Sequence, residues 1–140
     1  METSTQYKIL ITGGSGFIGS NLCEYFLKSG HKVICLDNFS TGHRHNLKDI
    51  LNHPNFKLIE GDIRNIEDCA LSVKDVDYVL HQAALGSVPR SINDPITTND
   101  VNVSGFLNML VASRDAKIKR RPPNLPGAAF FIALASLAAL

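Results

Sequence analysis

The feature that most constrains this chain is a glycine-rich turn between an apolar run and a segment with helical spacing. Residues 7–12 form a short apolar, β-branched run, and glycines follow at Gly13, Gly16 and Gly19. Glycine permits positive φ and close backbone approach to a ligand, and the first amide groups of a helix have no intrahelical partner. With the helix dipole, such a turn binds phosphate groups. We therefore expect a phosphate site with the amides of Phe17 and Ile18 as donors; the alternative is a glycine turn without a ligand.

Composition limits the classes of protein to consider. A length of 140 residues predicts one domain, and 14 basic against 13 acidic residues provide no electrostatic case for binding nucleic acid. Cys23, Cys35 and Cys69 are far apart, which is typical of small buried hydrophobes in a reducing compartment, and we expect no metal site. Residues 1–6 are polar and lack the features of a secretory signal, so we expect a cytoplasmic protein for which membrane binding is disfavoured.

The order of apolar segments predicts an α/β fold. Short apolar runs at 7–12, 32–37, 56–60 and 76–81 predict strands, and the segments between them have helical spacing at 17–29, 43–52 and 64–73. A loop is expected at 82–89, followed by a long helix that starts at Asp94 or Asp100 and ends near Asp115. Strands that alternate with helices predict a doubly wound parallel sheet. The expected inward-facing residues are Ile18, Leu22, Tyr25 and Phe26; Leu47, Ile50 and Leu51; and Val103, Phe106, Leu107, Leu110 and Val111.

Polar residues follow the second predicted strand. Asp37 lies eighteen residues after Gly19, at the position where a carboxylate can accept both hydroxyls of an adenosine ribose. A carboxylate there would repel a 2′-phosphate, so it favours NAD over NADP, although Arg44 could weaken that preference. The loop 40–42 could add hydroxyl and amide contacts to the same ribose. The alternative is that Asp37 is a surface turn acid.

The ends of the third and fourth predicted strands carry further candidates. Asp62 can accept a hydrogen bond from an adenine amino group while Ile63 packs on the ring, or Asp62 can cap the next helix; both roles are compatible. Ala83 and Ala84 leave room for a flat ligand. His81 is a candidate catalytic base, but a hydrogen-bonded structural histidine is the commoner case at such a position.

Together these motifs resemble the extended short-chain dehydrogenase/reductases, and within them the NAD-dependent epimerase/dehydratase family. The resemblance covers residues 6–119 and rests on the segments 12–19, 37–42, 61–64, 81–84 and 102–105. The run 86–91 is similar to that of the UDP-N-acetylglucosamine 4-epimerases of polysaccharide biosynthesis. The family implies a Rossmann-like fold and a UDP-sugar substrate. Its reaction moves a hydride from C4 of the sugar to tightly held NAD and back to the other face. It also implies a homodimer, which we do not expect of this short chain.

The resemblance assigns roles by position. It implies that the cofactor is held by Gly13, Gly16, Phe17, Ile18, Gly19, Asp37, Asn38, Ser40, Thr41, Gly42, Asp62, Ile63, Gln82, Ala83 and Ala84, with Asn102 bracing the strand ends. It implies that the residues near the sugar are Ser87, Val88, Arg90 and Ser91.

The chain departs from the family pattern in its catalytic residues. The family uses Tyr-x-x-x-Lys, but four positions after Tyr7, Tyr25 and Tyr78 stand isoleucine, serine and glutamine, so no catalytic residue is assigned. We expect the NAD-binding portion of a UDP-sugar 4-epimerase, inactive by itself unless a separate chain completes it. The alternatives are part of a sugar-nucleotide 4,6-dehydratase or decarboxylase, or a non-catalytic dinucleotide sensor.

The last residues differ in composition from the rest. Residues 1–119 match a partial NAD-binding domain, whereas 120–140 are first basic and Pro-rich and then apolar, as expected if the sheet is truncated after about four strands. A truncated or frame-disrupted reading frame explains such a tail. The alternatives are a membrane anchor, for which the 13 residues 128–140 are short, and a helix packed over the sheet.

Overall fold

A computed structural model describes residues 5–118, which contain one parallel four-stranded sheet in the order β3-β2-β1-β4. The strands are β1 (Lys8–Thr12), β2 (Lys32–Asp37), β3 (Phe56–Glu60) and β4 (Tyr78–His81). β1 lies between β2 and β4, with Thr12 opposite Leu36 on one side and opposite His81 on the other. The predicted α/β class and doubly wound parallel sheet are confirmed.

Helices cover both faces of this sheet. They are α1 (Phe17–Lys28), α2 (Ile66–Ser72), α3 (Val88–Asn93), α4 (Pro95–Asn99) and α5 (Phe106–Asp115). A π-helical segment, Asp100–Gly105, joins α4 to α5, so helical backbone runs from Pro95 to Asp115. The side chain of Asp94 accepts a hydrogen bond from Thr97 N at 3.1 Å, which confirms Asp94 as the start of this helix.

Two predicted elements differ from the structure. The predicted helix 43–52 is a single 3₁₀ turn, Arg44–Leu47, followed by turns. The predicted loop 82–89 ends early, because Ser87 caps α3 through a hydrogen bond from Arg90 N and Pro89 fits the first helical turn.

Alternate residues of the strands supply two separate cores. Leu10, Ile34 and Leu36 pack on the α2 and α5 face. The neighbouring residues Ile11 and Cys35 pack on the α1 face. This three-layer arrangement buries both sides of the inner strands, as expected for continuously apolar strands. All three cysteines are buried in these cores, which confirms them as packing residues.

Several apolar residues that were predicted to face the core are exposed in the structure. In α1, Ile18 and Tyr25 are exposed, because small Gly19 and Cys23 form the contact with the sheet. Leu51 is also exposed.

The predicted stripe on the last helix is wrong for Val103, Leu107 and Leu110, which are exposed. The buried face carries Gly105 and Met109 instead. The π-helical segment changes the phase of the helix, and small Gly105 allows close approach, neither of which a count of large apolar residues reveals.

The tail 120–140 lies outside the described residues. Its three interpretations, a disrupted reading frame, a membrane anchor and a packed helix, therefore stay predictions. Within 5–118, no helix has both the length and the apolarity needed to cross a membrane.

Candidate nucleotide-binding cleft

A cleft opens at the carboxyl ends of the four strands, where the order of the sheet reverses between β1 and β4. Ligands of open α/β sheets bind at such a switch point. The structure brings together at this cleft Gly13, Gly16, Phe17, Ile18, Gly19, Leu36, Asp37, Asn38, Ser40, Thr41, Gly42, Gly61, Asp62, Ile63, Gln82, Ala83, Ala84, Leu85 and Val101.

The glycine turn packs directly against the loop that follows β4. Gly13 has φ of +68°, its amide donates to Leu36 O at 2.8 Å, and a Cβ on it would lie 2.7 Å from Ala83 N. A side chain here would be both strained and in collision with backbone. Gly13 is therefore required for the two strand ends to meet.

The start of α1 forms one wall of the cleft. A Cβ on Gly16 would meet only Gly13 O, at 3.4 Å, so this side of the turn is open toward the cleft. A Cβ on Gly19 would instead collide with the backbone of Gly13, so Gly19 sets the packing of the helix on the turn. Phe17 and Ile18 begin the helix with exposed side chains, and the first amides of a helix have no intrahelical acceptor. This wall suits an anionic, phosphate-containing ligand.

Asp37 lies at the end of β2 with its carboxylate buried under the glycine turn. Its Oδ2 accepts from Ser15 N and its Oδ1 from Phe39 N, each at 2.8 Å. The second of these bonds holds Phe39 at a positive φ of 58°. An ionised carboxylate offers about four acceptor positions, so two remain for donors on a ligand. The fixed carboxylate is thus suited to two adjacent hydroxyl groups.

The loop after β2 wraps the same corner. Asn38 accepts from Ser40 N at 3.0 Å, which folds Ser40 and Thr41 over the cleft. A Cβ on Gly42 would collide with Ser15, so glycine at this position lets the loop close against the turn.

Asp62 faces the cleft and is tied to a basic neighbour. Its carboxylate accepts from Arg64 Nη2 at 2.6 Å and from Asn38 Nδ2 at 3.1 Å. The hydrogen bonds from Arg64 lower the pKa of Asp62 to about 2, so this carboxylate is ionised at neutral pH. The proposed capping role for Asp62 is wrong, because Asn65 caps α2 by accepting from Glu67 N and Asp68 N.

His81 is part of a buried link between β1 and β4. Thr12 Oγ1 accepts from Gln82 N at 3.1 Å and Ala83 N at 3.2 Å, and lies 2.8 Å from His81 Nδ1. The Gln82 amide is shared between Thr12 Oγ1 and the Thr12 carbonyl oxygen, so the hydroxyl joins the ends of β1 and β4 and contacts the imidazole. Burial lowers the pKa of His81 to about 4. This geometry favours the structural role over the catalytic one.

Asn102, in the π-helical segment, lies behind the cleft wall rather than in it. Its side chain accepts from Leu85 N at 2.8 Å and donates to Leu85 O at 2.9 Å. The paired bonds attach the loop after β4 to the long helix.

The predicted sugar-contacting residues do not line the cleft. Ser87 and Ser91 use their hydroxyls within α3, where Ser87 accepts from Arg90 N and Ser91 donates to Val88 O at 2.8 Å. Val88 and Arg90 are exposed beside them. The four residues form a patch at the end of the same loop, outside the cleft wall.

Sequence reasoning missed four cleft residues, which are Leu36, Gly61, Leu85 and Val101. Gly61 could have been found from the sequence, since it directly precedes Asp62 at the end of a strand. In the structure a Cβ on Gly61 would lie 2.9 Å from Asp68 Oδ2. Val101 had no signal in the sequence, because the long helix reaches the cleft only through tertiary packing.

Comparison with known proteins places these features in one family. The family model described as "NAD dependent epimerase/dehydratase family" matches residues 9–122. A putative UDP-glucose 4-epimerase of Methanocaldococcus jannaschii is 37% identical over 113 residues, covering 80% of this chain and 35% of that protein. Other matches are named as nucleotide-sugar decarboxylases and dehydratases.

Two solved structures have the same fold. Thermus thermophilus UDP-glucose 4-epimerase in complex with NAD matches with a TM-score of 0.71 and 36% identity, over 80% of this chain and 35% of that one. Methanobrevibacter ruminantium UDP-N-acetylglucosamine 4-epimerase, in complex with UDP-N-acetylmuramic acid, matches with a TM-score of 0.76 and 33% identity. This match covers 96% of this chain and 47% of that one. The chain spans 23–37% of the length of the curated relatives it matches.

Proposed function

This chain belongs to the NAD-dependent epimerase/dehydratase family, and we propose that its cleft binds NAD as the cofactor portion of a UDP-sugar 4-epimerase. Structural neighbours of the chain were crystallised with NAD. The observation that carries the proposal is the convergence of the glycine turn and the Asp37 carboxylate on one cleft at the switch point of the sheet.

The residues of the cleft fit this cofactor along its length. The open side of Gly16 and the amides of Phe17 and Ile18 would hold the pyrophosphate. The spare acceptor positions of Asp37 would take the hydroxyls of the adenosine ribose, and Ser40, Thr41 and Gly42 would enclose that ribose.

The remaining predicted residues suit the two ends of the cofactor. Asp62 and Ile63 would contact the adenine, with an anionic acceptor beside an apolar side chain. Gln82, Ala83 and Ala84 would leave space for the nicotinamide, on a loop that Asn102 braces. When bound, the nicotinamide supplies reversible hydride transfer at C4 of the sugar.

The proposed substrate is a UDP-sugar of the UDP-N-acetylglucosamine type. Ser87, Val88, Arg90 and Ser91 would approach it from α3, although all four lie outside the cleft wall. The likeness to UDP-N-acetylglucosamine 4-epimerase supports this choice. A 4,6-dehydratase or decarboxylase is the alternative that other matches support.

Catalysis would require a Tyr-x-x-x-Lys pair, which this sequence lacks, so we propose that the chain binds cofactor without turnover. A dinucleotide sensor would behave in the same way in a binding assay. We further propose a cytoplasmic location, since three buried reduced cysteines suit a reducing compartment.

The test is isothermal titration of the full chain with NAD and NADP, together with a coupled turnover assay on UDP-N-acetylglucosamine. We expect saturable binding of NAD, weaker binding of NADP and no turnover by the chain alone. Absence of saturable NAD binding would overturn the proposed cofactor, and turnover by the chain alone would overturn the proposed inactivity.

A further inference from the structure

Two acidic residues stand at the last positions of β2 and β3, and the first of them lines the cleft. Asp37 and Glu60 are partners in the β2–β3 register, so they end neighbouring strands side by side. Asp37 is buried and bonded to backbone amides, whereas Glu60 is exposed and forms an ion pair with Arg44. Glu60, the second acid, therefore fixes the position of the Arg44 guanidinium.

The Arg44 guanidinium lies against the loop that would surround the ribose. It stacks on the ring of Phe39 at 4.3 Å from the centroid, and Phe39 stands between the cleft residues Asn38 and Ser40. The amide of Phe39 donates to the Asp37 carboxylate. An arginine at this corner is the group that accommodates a 2′-phosphate in dinucleotide sites.

From this arrangement we propose that Glu60 is a specificity-determining residue, which holds Arg44 in an ion pair and so withholds it from a ribose 2′-phosphate. The proposal rests on the proposed NAD function. Asp37 repels the phosphate directly, and Glu60 pairs with Arg44, the cation that stacks on the β2 loop. Asp62 forms a similar ion pair with the next arginine, Arg64.

Glu60→Gln tests this role, because it removes the charge and keeps the shape of an exposed side chain. We expect NADP to bind about fivefold more tightly, a ratio near the upper range for an exposed ion pair. NAD affinity should stay unchanged, since it carries no 2′-phosphate. The gain should shrink with added salt, as expected for an exposed charge pair.

Two further variants separate this role from a general change in charge. Glu24→Gln makes the same charge change in the exposed Glu24–Lys28 pair on α1 and should leave NADP binding as in the wild type. The double variant Glu60→Gln/Arg44→Gln should lose the gain.

An equal gain in Glu24→Gln, a gain that survives in the double variant, or no measurable NADP binding to Glu60→Gln would each overturn the proposal. If the wild-type chain binds no NAD, the proposed function itself fails. If NAD binds and Glu60→Gln has no effect, only the specificity role fails.

Discussion

At the residue scale, each glycine of the turn has a different physical task. Gly13 is needed for its positive φ and its contact with Ala83, and Gly14 for its contact with the Cys23 and Cys35 thiols. Gly16 has free space where a Cβ would project. Spacing alone identified the turn, but only the neighbours of each Cβ separate the glycines that permit folding from Gly16, which has room for a side chain beside the cleft.

Gly16→Ala should therefore reduce NAD binding without unfolding the chain. Its methyl group would meet only Gly13 O within the protein and would occupy space on the cleft side. We expect NAD affinity to fall by about tenfold or more, because a methyl that blocks an optimised contact costs about 1–3 kcal/mol. Titration calorimetry and thermal unfolding measure the two effects separately.

Gly30→Ala is the matched control. Gly30 has φ of +85° but open space around it, and it lies at the opposite end of α1 from the turn. This variant should lose about 1 kcal/mol of unfolding free energy and keep its NAD affinity. A loss of binding in both variants would contradict the direct role of Gly16.

At the element scale, the long helix and the loop after β4 depend on each other. The π-helical segment presents Asn102 to Leu85, and Gly105 brings the same segment against Ile63, where a Cβ would lie 2.7 Å from its side chain. π-helical turns occur often at functional sites. Here the widened turn places an amide side chain where it can hold a cleft loop.

Asn102→Ala should loosen this loop. It leaves the Leu85 N–H and C=O without their side-chain partner, so we expect a loss of about 1–3 kcal/mol in the free energy of unfolding. Amide hydrogen exchange at Leu85 should accelerate more than exchange at Leu10 in the sheet. Asn108→Ala, which removes bonds to the Ile63 and Arg64 carbonyls instead, is the control that should leave Leu85 protected.

At the scale of the whole molecule, His81 makes stability depend on pH. The folded state lowers its pKa from 6.5 to about 4, because the ring is buried, so the unfolded chain binds a proton that the folded chain does not. The contribution of neutral His81 to the free energy of unfolding is fully present above pH 6.5 and is lost as the pH falls from 6.5 toward 4. The loss should approach about 3 kcal/mol, at 1.36 kcal/mol for each pH unit.

Urea unfolding across this pH range measures the effect. His81→Gln should flatten the dependence on pH, even if it lowers stability at neutral pH by breaking the bond to Thr12. His45→Gln, at an exposed histidine in the 3₁₀ turn, is the matched control for the loss of a histidine. An unchanged slope in His81→Gln would show that other groups cause the acid sensitivity.

The sequence by itself determined the alternation of strands and helices along the chain, except at 43–52 and 82–89, as well as the parallel sheet and the family. These depend on local patterns: apolar β-branched runs, glycine spacing, and acids at strand ends such as Asp37 and Asp62. Such patterns involve residues that are close together in the sequence, so they can be recognised without a structure.

Only the tertiary structure decided which residues share the cleft and which helix faces are buried. Val101 reaches the cleft through the packing of a distant helix. Leu107 is exposed because Gly105 packs on Ile63 and the buried face of the helix carries Met109. The spacing predicted the glycine turn as a phosphate site, but the residues that pack against this turn, Leu36, Gly42 and Ala83, lie on other elements. Contacts between residues far apart in sequence depend on side-chain volume and packing, which have no local period.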